Sequence, residues 1–293
     1  MVHEVVVQTK PLIVKPGSKA KLADRDPGWV FPDIDKDQAL ESLEHDLAGL
    51  AKAQDLLYSN ASRAVLIVLQ AMDAAGKDGI VKHVMSGVNP QGCRVNSFKV
   101  PSAEEKIHDF LWRYAKCLPE RGVIGIFNRS YYEEVLVVRV HPEFLGSDVG
   151  RAKKQGAEFW RDRYDDINAF ERHLTRTGTT ILKFFLHLSK KEQKKRLLER
   201  LDDPAKHWKF SANDLAERAL WPDYMDAYEK ALTATSTEWA PWHVVPADHK
   251  WVARTVVANV LTQAIREFDL KYPVLPPEKE ADLEMARKKL EGE

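Results

Sequence analysis

Apolar positions along the chain change rhythm several times. Leu40, Leu43, Leu47, Leu50 and Leu57 recur at helical spacing, which predicts an amphipathic helix over 37–58. The unbroken run Val65–Leu69 predicts a buried strand over 64–70. A helix is expected from Lys77, with Ile80, Val81, Val84, Met85 and Val88 on its inner side. Cys93–Val100 alternates like a strand, and Pro101-Ser102 opens an expected helix over 103–117. Residues 122–127 predict a short buried strand. Phe159, Trp160, Tyr164, Ile167 and Phe170 mark one side of a helix over 156–175. The β-branched and aromatic run 179–188 predicts a central strand, followed by a basic helix over 190–201. A last strand over 243–247 and a last long helix over 251–270 follow.

Strands alternating with helices argue for an α/β fold, a mainly parallel sheet covered on both faces as a three-layer α/β/α sandwich. Ligands of such sheets bind beyond the carboxyl ends of the strands. Segments 71–78, 128–134 and 189 onward each follow a strand directly, so they converge on one edge. The expected organisation is an N-terminal arm over 1–36, lying on the surface or on a neighbouring subunit, one catalytic domain over 37–272, and a loose tail over 273–293. The stretch 196–235 reads as an excursion from the core, with a lid at about 200–220.

Composition narrows the partners. The 293 residues carry 30% charged side chains and a formal net charge of zero, which predicts neither a nucleic-acid nor a membrane partner. No apolar stretch approaches the roughly 20 residues of a membrane-spanning helix. Met1–Lys21 lacks the apolar centre of a secretory signal, and Cys93 and Cys117 read as free thiols, so a cytoplasmic location is expected.

The chemistry concentrates in three segments. Ala71-Met72-Asp73-Ala74-Ala75-Gly76-Lys77-Asp78-Gly79 lies between a buried strand and an amphipathic helix. That is the layout of a phosphate-binding loop: backbone N–H groups and a helix N-terminus face an anion, and a lysine adds a point charge. Ala74, Ala75, Gly76, Lys77, Asp78, Gly79 and, further along the helix, Lys82 are the expected phosphate contacts. The loop departs from the usual pattern, with Ala71 for its first glycine and Asp78 for the metal-binding Ser/Thr. Asp73 inside the loop is expected to hold a divalent cation between phosphates, and Asp78 to serve the first turn of the helix.

The second segment is Phe127-Asn128-Arg129-Ser130-Tyr131-Tyr132-Glu133-Glu134. Asn128 stands where many phosphate-loop enzymes have a magnesium-binding acid, and Glu133 can compensate as a metal ligand. Arg129 suits the charge of a transferring phosphoryl group. Ser130 and Glu133 also fit a helix-start capping box. In the third segment, 190–209, eight Lys and Arg face four Asp and Glu. Its end, Lys206-His207-Trp208-Lys209-Phe210-Ser211, mixes cations and aromatics as a mobile lid over phosphates would.

At these three motifs the chain resembles the polyphosphate kinase 2 family, over residues 35–272. The resemblance implies a thymidylate-kinase-like P-loop core and phosphoryl transfer between inorganic polyphosphate and nucleotides, dependent on Mg²⁺ with Mn²⁺ as an alternative. Asn128-Arg129-Ser130 with Tyr132-Glu133 is similar to the subgroup acting on both nucleoside mono- and diphosphates. It implies catalytic roles for Asp73, Lys77, Arg129 and Glu133, nucleotide contacts at Asn128, Ser130, Tyr132 and Glu133, and lid contacts at Lys206, Trp208, Lys209 and Ser211. A homo-oligomer, dimer or tetramer, is also expected. Two other readings stay open: a nucleoside monophosphate kinase driven by ATP, and a non-catalytic polyphosphate- or nucleotide-binding protein.

Overall fold

The computed structural model describes residues 7–293. Five parallel strands form one sheet: β1 Ala64–Gln70, β2 Cys93–Ser97, β3 Ile124–Asn128, β4 Thr179–His187 and β5 Trp242–Pro246, in the order β2-β3-β1-β4-β5. Every residue of β1 is buried, because helices cover both faces of the sheet. Val65, Ile67 and Leu69 point into one core and Leu66 and Val68 into the other.

Numbering the longer helices in chain order, the first core is closed by α1 Lys36–Asn60, α2 Lys77–Val84 and α7 Lys250–Arg266. Asp35 and Gln38 start α1 with a capping box, and Ala61 ends it in the left-handed region at φ 50°. Thr262 of α7 donates to the Asp46 carbonyl and Asn259 to the Asp46 carboxylate, which stitches α7 along α1. The second core is closed by α3 Ala157–Arg176 and α6 Trp221–Thr235. Between these lie α4 Lys190–Asp202 and the short α5 Asn213–Ala219.

The expected sheet and layers are therefore present, and four boundaries differ. The single helix expected over 103–117 is two short pieces, Ala103–Lys106 and Trp112–Ala115. Asp109 breaks it: its carboxylate accepts from Leu111 N and its carbonyl from Trp112 N, so a new turn starts there. The excursion is narrower than 196–235, because Tyr224, Ala227, Tyr228 and Leu232 of α6 are core residues.

The arm is not a surface appendage. Its residues 1–6 lie outside the described residues, but Val14, Ala20, Leu22 and Phe31 are buried in the chain's own cores. Val14 N donates to Trp242 O at 2.9 Å and Ile13 bridges antiparallel to His243, so the arm covers the open edge of β5. The tail contains a helix, α8 Pro277–Glu291, exposed over 278–291. Pro277 at its first turn, acids at its start and Lys288 and Lys289 at its end suit the helix dipole. Among the described residues, no helix is long and apolar enough to cross a membrane.

Candidate active site

The order of strands places β1 between β3 and β4, where chain connections diverge to opposite sides of the sheet. A crevice opens there at the carboxyl edge. The loop from β1 fills its floor. Ala74 (φ 62°) and Gly76 (φ 109°) both take left-handed backbone, which turns the chain tightly from strand into α2. Gly76 tolerates this freely, while Ala74 is held there by its surroundings. The first-turn amides of α2 have no partner within the helix, and Lys77, Asp78 and Gly79 line the crevice.

Lys77 lies across the loop and donates to the Ala71 carbonyl at 2.9 Å. Burial, then the neighbouring Arg129, depresses its pKa, and Asp73 and Glu133 oppose that shift. The carbonyls of the loop are held by α4. Gln193 donates to Asp73 O at 3.0 Å, and Arg196 donates to Ala74 O at 3.1 Å and Ala75 O at 2.9 Å.

The end of β3 supplies the opposite wall. Asn128 donates to the Asp78 carboxylate at 2.8 Å, so Asp78 joins α2 to β3 as well as serving the helix start. Arg129 takes left-handed backbone at φ 63°. That aims its side chain at Asp73, to which Nη2 donates at 3.1 Å, and at Glu133, 3.6 Å from Nη1. Glu133 first, and Asp73 against the effect of burial, raise the Arg129 pKa. Burial pushes the Glu133 carboxyl upward despite Arg129 and Lys77.

A cleft of about 900 Å³ runs along this edge. Asp73, Lys77, Asn128 and Arg129 line it from the sheet, and Lys206, Trp208 and Lys209 line it from the lid. Trp208 is 78% exposed, with the Lys209 ammonium 4.9 Å from its ring centre. Lys206 is paired with Asp203 at 2.8 Å.

Several expected contacts are placed elsewhere. Ser130 is fully buried and accepts from Gln70 Nε2 at 3.1 Å and from Tyr132 N, so it has no face toward a nucleotide. Tyr132 is equally buried, and its hydroxyl donates to Glu171 at 2.8 Å. The capping box does not form, because Glu133 turns to Arg129 instead. Glu133 does not line the cleft and sits behind Arg129, which makes it a poor metal ligand and a good anchor for the guanidinium. Lys82 is exposed and outside the cleft, whereas its neighbour His83 lines it. Ser211 caps the start of α5 through Asn213 N and does not reach the cleft.

Other functional groups escaped the sequence pattern. Lys99, Lys250 and Arg254 line the cleft from three separate segments with no shared motif. Beneath the site, Glu171 and Lys183 form a fully buried ion pair at 2.6 Å. Glu171 also accepts from both Tyr131 and Tyr132, and Lys183 donates to Tyr132 and to Thr235 O. A lysine at the centre of an apolar strand was the available signal for this network. It fixes the backbone that immediately follows Arg129.

No three His, Cys, Asp or Glu side chains converge into a metal cage among the described residues. Asp73 is the cleft's loop carboxylate, with Asp78 and Asn128 beside it. A few hard oxygens next to a phosphate site suit Mg²⁺, which is held by one or two carboxylates together with substrate phosphates.

The match to known proteins agrees with this geometry. The family model described as polyphosphate kinase 2 (PPK2) matches residues 33–273. The chain belongs to the polyphosphate kinase 2 family. It is 51% identical over 286 residues to the ADP-polyphosphate phosphotransferase of Rhodopseudomonas palustris, covering 97% of this chain and 99% of the relative. It is 48% identical over 238 residues to the AMP/ADP-polyphosphate phosphotransferase of Meiothermus ruber, covering 81% and 85%. The crystal structure of polyphosphate kinase 2 from Arthrobacter aurescens TC1 superposes with a TM-score of 0.85 at 45% identity, over 94% of this chain and 96% of that one. The chain thus has the P-loop kinase fold that the resemblance implied.

Proposed function

We propose that the protein transfers phosphoryl groups between inorganic polyphosphate and AMP or ADP, making nucleoside di- and triphosphates. GMP and GDP are further acceptors in this reading. The observation that carries it is the charge of the cleft. Nine lysines and arginines line it against four acids, a surplus of five in a chain of zero net charge. A long polyanion and a second phosphate group need such a surplus; a single small anion does not.

The residues divide the work. The loop amides and Lys77 hold the donor phosphate chain. Arg129, fixed by Asp73 and Glu133, meets the charge on the transferring group. The acceptor phosphate oxygen is already an anion at neutral pH, so no strong general base is required. Lys206, Trp208 and Lys209 close from above and exclude water. Asp73 would hold Mg²⁺, or Mn²⁺, which would supply positive charge to neutralise the phosphates. Rate enhancement then comes from positioning and charge neutralisation.

An ATP-driven monophosphate kinase is not favoured, since Asp78 stands in place of the metal-binding hydroxyl and is tied to Asn128. Self-association as a dimer or tetramer is part of the proposal; exposed Ile107 and Phe144 are large apolar side chains that a second copy would cover. The cytoplasm, where nucleotides abound and thiols such as those of Cys93 and Cys117 stay free, is the compartment it suits. A matrix of polyphosphate or ATP against AMP, ADP, GMP and GDP tests the function. Nucleotide products with polyphosphate alone support it, and products only with ATP overturn it.

A further inference from the structure

The lid and the phosphate loop are far apart in sequence, yet one buried side chain joins them. Gln193 of α4 is 1% exposed. Its amide nitrogen donates to Asp73 O at 3.0 Å. Its amide oxygen accepts from Arg218 Nη1 at 2.9 Å, and the same Arg218 nitrogen donates to Lys190 O at 2.7 Å. Arg218 lies on α5, the helix on which the lid returns to the core. A continuous hydrogen-bonded path therefore runs from the lid's return helix, through Gln193, to the backbone of the loop acid.

The neighbouring contacts make the path directional. One helical turn after Gln193, Arg196 holds the next two loop carbonyls, at Ala74 and Ala75. Its Nη2 holds Ala247 O and Asp248 O beyond β5, and its Nε pairs with Glu192. Those five contacts fix Arg196 to the rigid core. Gln193 instead has its second contact on the lid side. Of the three consecutive loop carbonyls bound by α4, only that of Asp73 is linked, through Gln193, to α5 of the lid.

We propose that Gln193 is a positioning residue that couples lid closure to the setting of Asp73. When α5 and Arg218 move with the lid, Gln193 shifts the Asp73 peptide, and the Asp73 carboxylate moves relative to Arg129. Only an amide serves both ends. A carboxylate would accept from Arg218 but present a lone pair to the Asp73 carbonyl, and a thioether would do neither. The inference rests on the lid and loop roles proposed above.

Gln193→Glu and Arg218→Met test it, alone and combined. Gln193→Glu keeps the shape and the contact to Arg218, so it is expected to stay folded at assay temperature with a lowered unfolding midpoint. Its kcat with polyphosphate and ADP is expected to fall at least about tenfold with KM for ADP little changed, since misplacing a reacting group loses rate more than binding. The Arg218→Met variant should show the same pattern, and the double variant should be no slower than the slower single. Amide hydrogen exchange over 73–79 gives a readout besides turnover. Polyphosphate with AMP should slow it in the wild type and not in Arg218→Met. Wild-type kcat in Gln193→Glu, additive losses in the double variant, or loop protection intact in Arg218→Met would each overturn the coupling. Absence of turnover in the wild type would instead overturn the proposed activity, so the two failures are distinguishable.

Discussion

Arg129 donates to the Asp73 carboxylate at 3.1 Å while its other terminal nitrogen lies 3.6 Å from Glu133. The guanidinium is thereby spread between a loop acid and an anchor acid, and the left-handed backbone at Arg129 fixes where the fork points. A lysine cannot span both acids with one ammonium. Arg129→Lys is expected to lower kcat at least about tenfold in a steady-state assay, and wild-type kinetics would reduce Arg129 to a structural role.

In the proposed reaction Asp73 and Lys77 act on the phosphates from the loop itself. Asp73→Ala and Lys77→Ala are each expected to lower turnover by at least about a hundredfold, the usual loss for one preorganised electrostatic group. Circular dichroism should show both variants folded. Near-normal rates in either would remove that residue from the mechanism.

The buried pair Lys183–Glu171 lies beneath this arrangement. Burial depresses the Lys183 pKa and Glu171 opposes it. Removing one partner leaves an uncompensated buried charge, so Glu171→Leu should destabilise by about 3–5 kcal/mol in urea unfolding. Adding Lys183→Met should recover part of that loss, because the two sites share one network. Additive destabilisation would mean that the charges do not depend on each other.

His141 ties the core to the lid's return helix. Its Nε2 lies 2.9 Å from Glu217 on α5 and its Nδ1 3.1 Å from Glu143. Burial pulls the pKa down, but the hydrogen bonds and charges of the two glutamates outweigh it, and the net shift is upward. A raised folded-state pKa gives stability that is full below the ordinary value of 6.5 and fades as pH rises through the folded value. The stability difference between wild type and His141→Asn should therefore shrink from pH 6 to pH 9, on the order of the window its titration spans. A difference that grows with pH would contradict the assignment.

Lys206 and Lys209 reach the cleft from the lid while remaining outside the core. Replacing both by Ala should raise KM for polyphosphate more than KM for ADP and flatten its dependence on salt. The unfolding midpoint should stay unchanged. Equal effects on the two substrates would mean that the lid does not discriminate the polyanion.

How much of this was legible in the sequence depends on distance along the chain. The loop, the end of β3 and the lid are contiguous motifs, and their residues read directly as a phosphate site. The loop and the end of β3 converge because each starts where a strand ends, whereas the lid motif follows α4. Ser130 and Tyr132 were misassigned because membership in a motif does not reveal which side of the strand end a side chain takes; both are buried, Tyr132 in the second core and Ser130 against Gln70. Lys99, Lys250 and Arg254 reach the cleft from separate segments, so only the folded chain brings them together. The arm was misread for a related reason. Val14, Ala20, Leu22 and Phe31 have no period, yet each fills a gap left by regular elements.

In the proposed reaction the altered loop takes inorganic polyphosphate as donor. The most direct measurement is phosphorus NMR of purified protein with Mg²⁺, polyphosphate and ADP, with no ATP added. The account predicts that ATP signals grow as polyphosphate shortens, and that Lys77→Ala abolishes both changes. ATP formation without loss of polyphosphate, or conversion unaffected by Lys77→Ala, would contradict it.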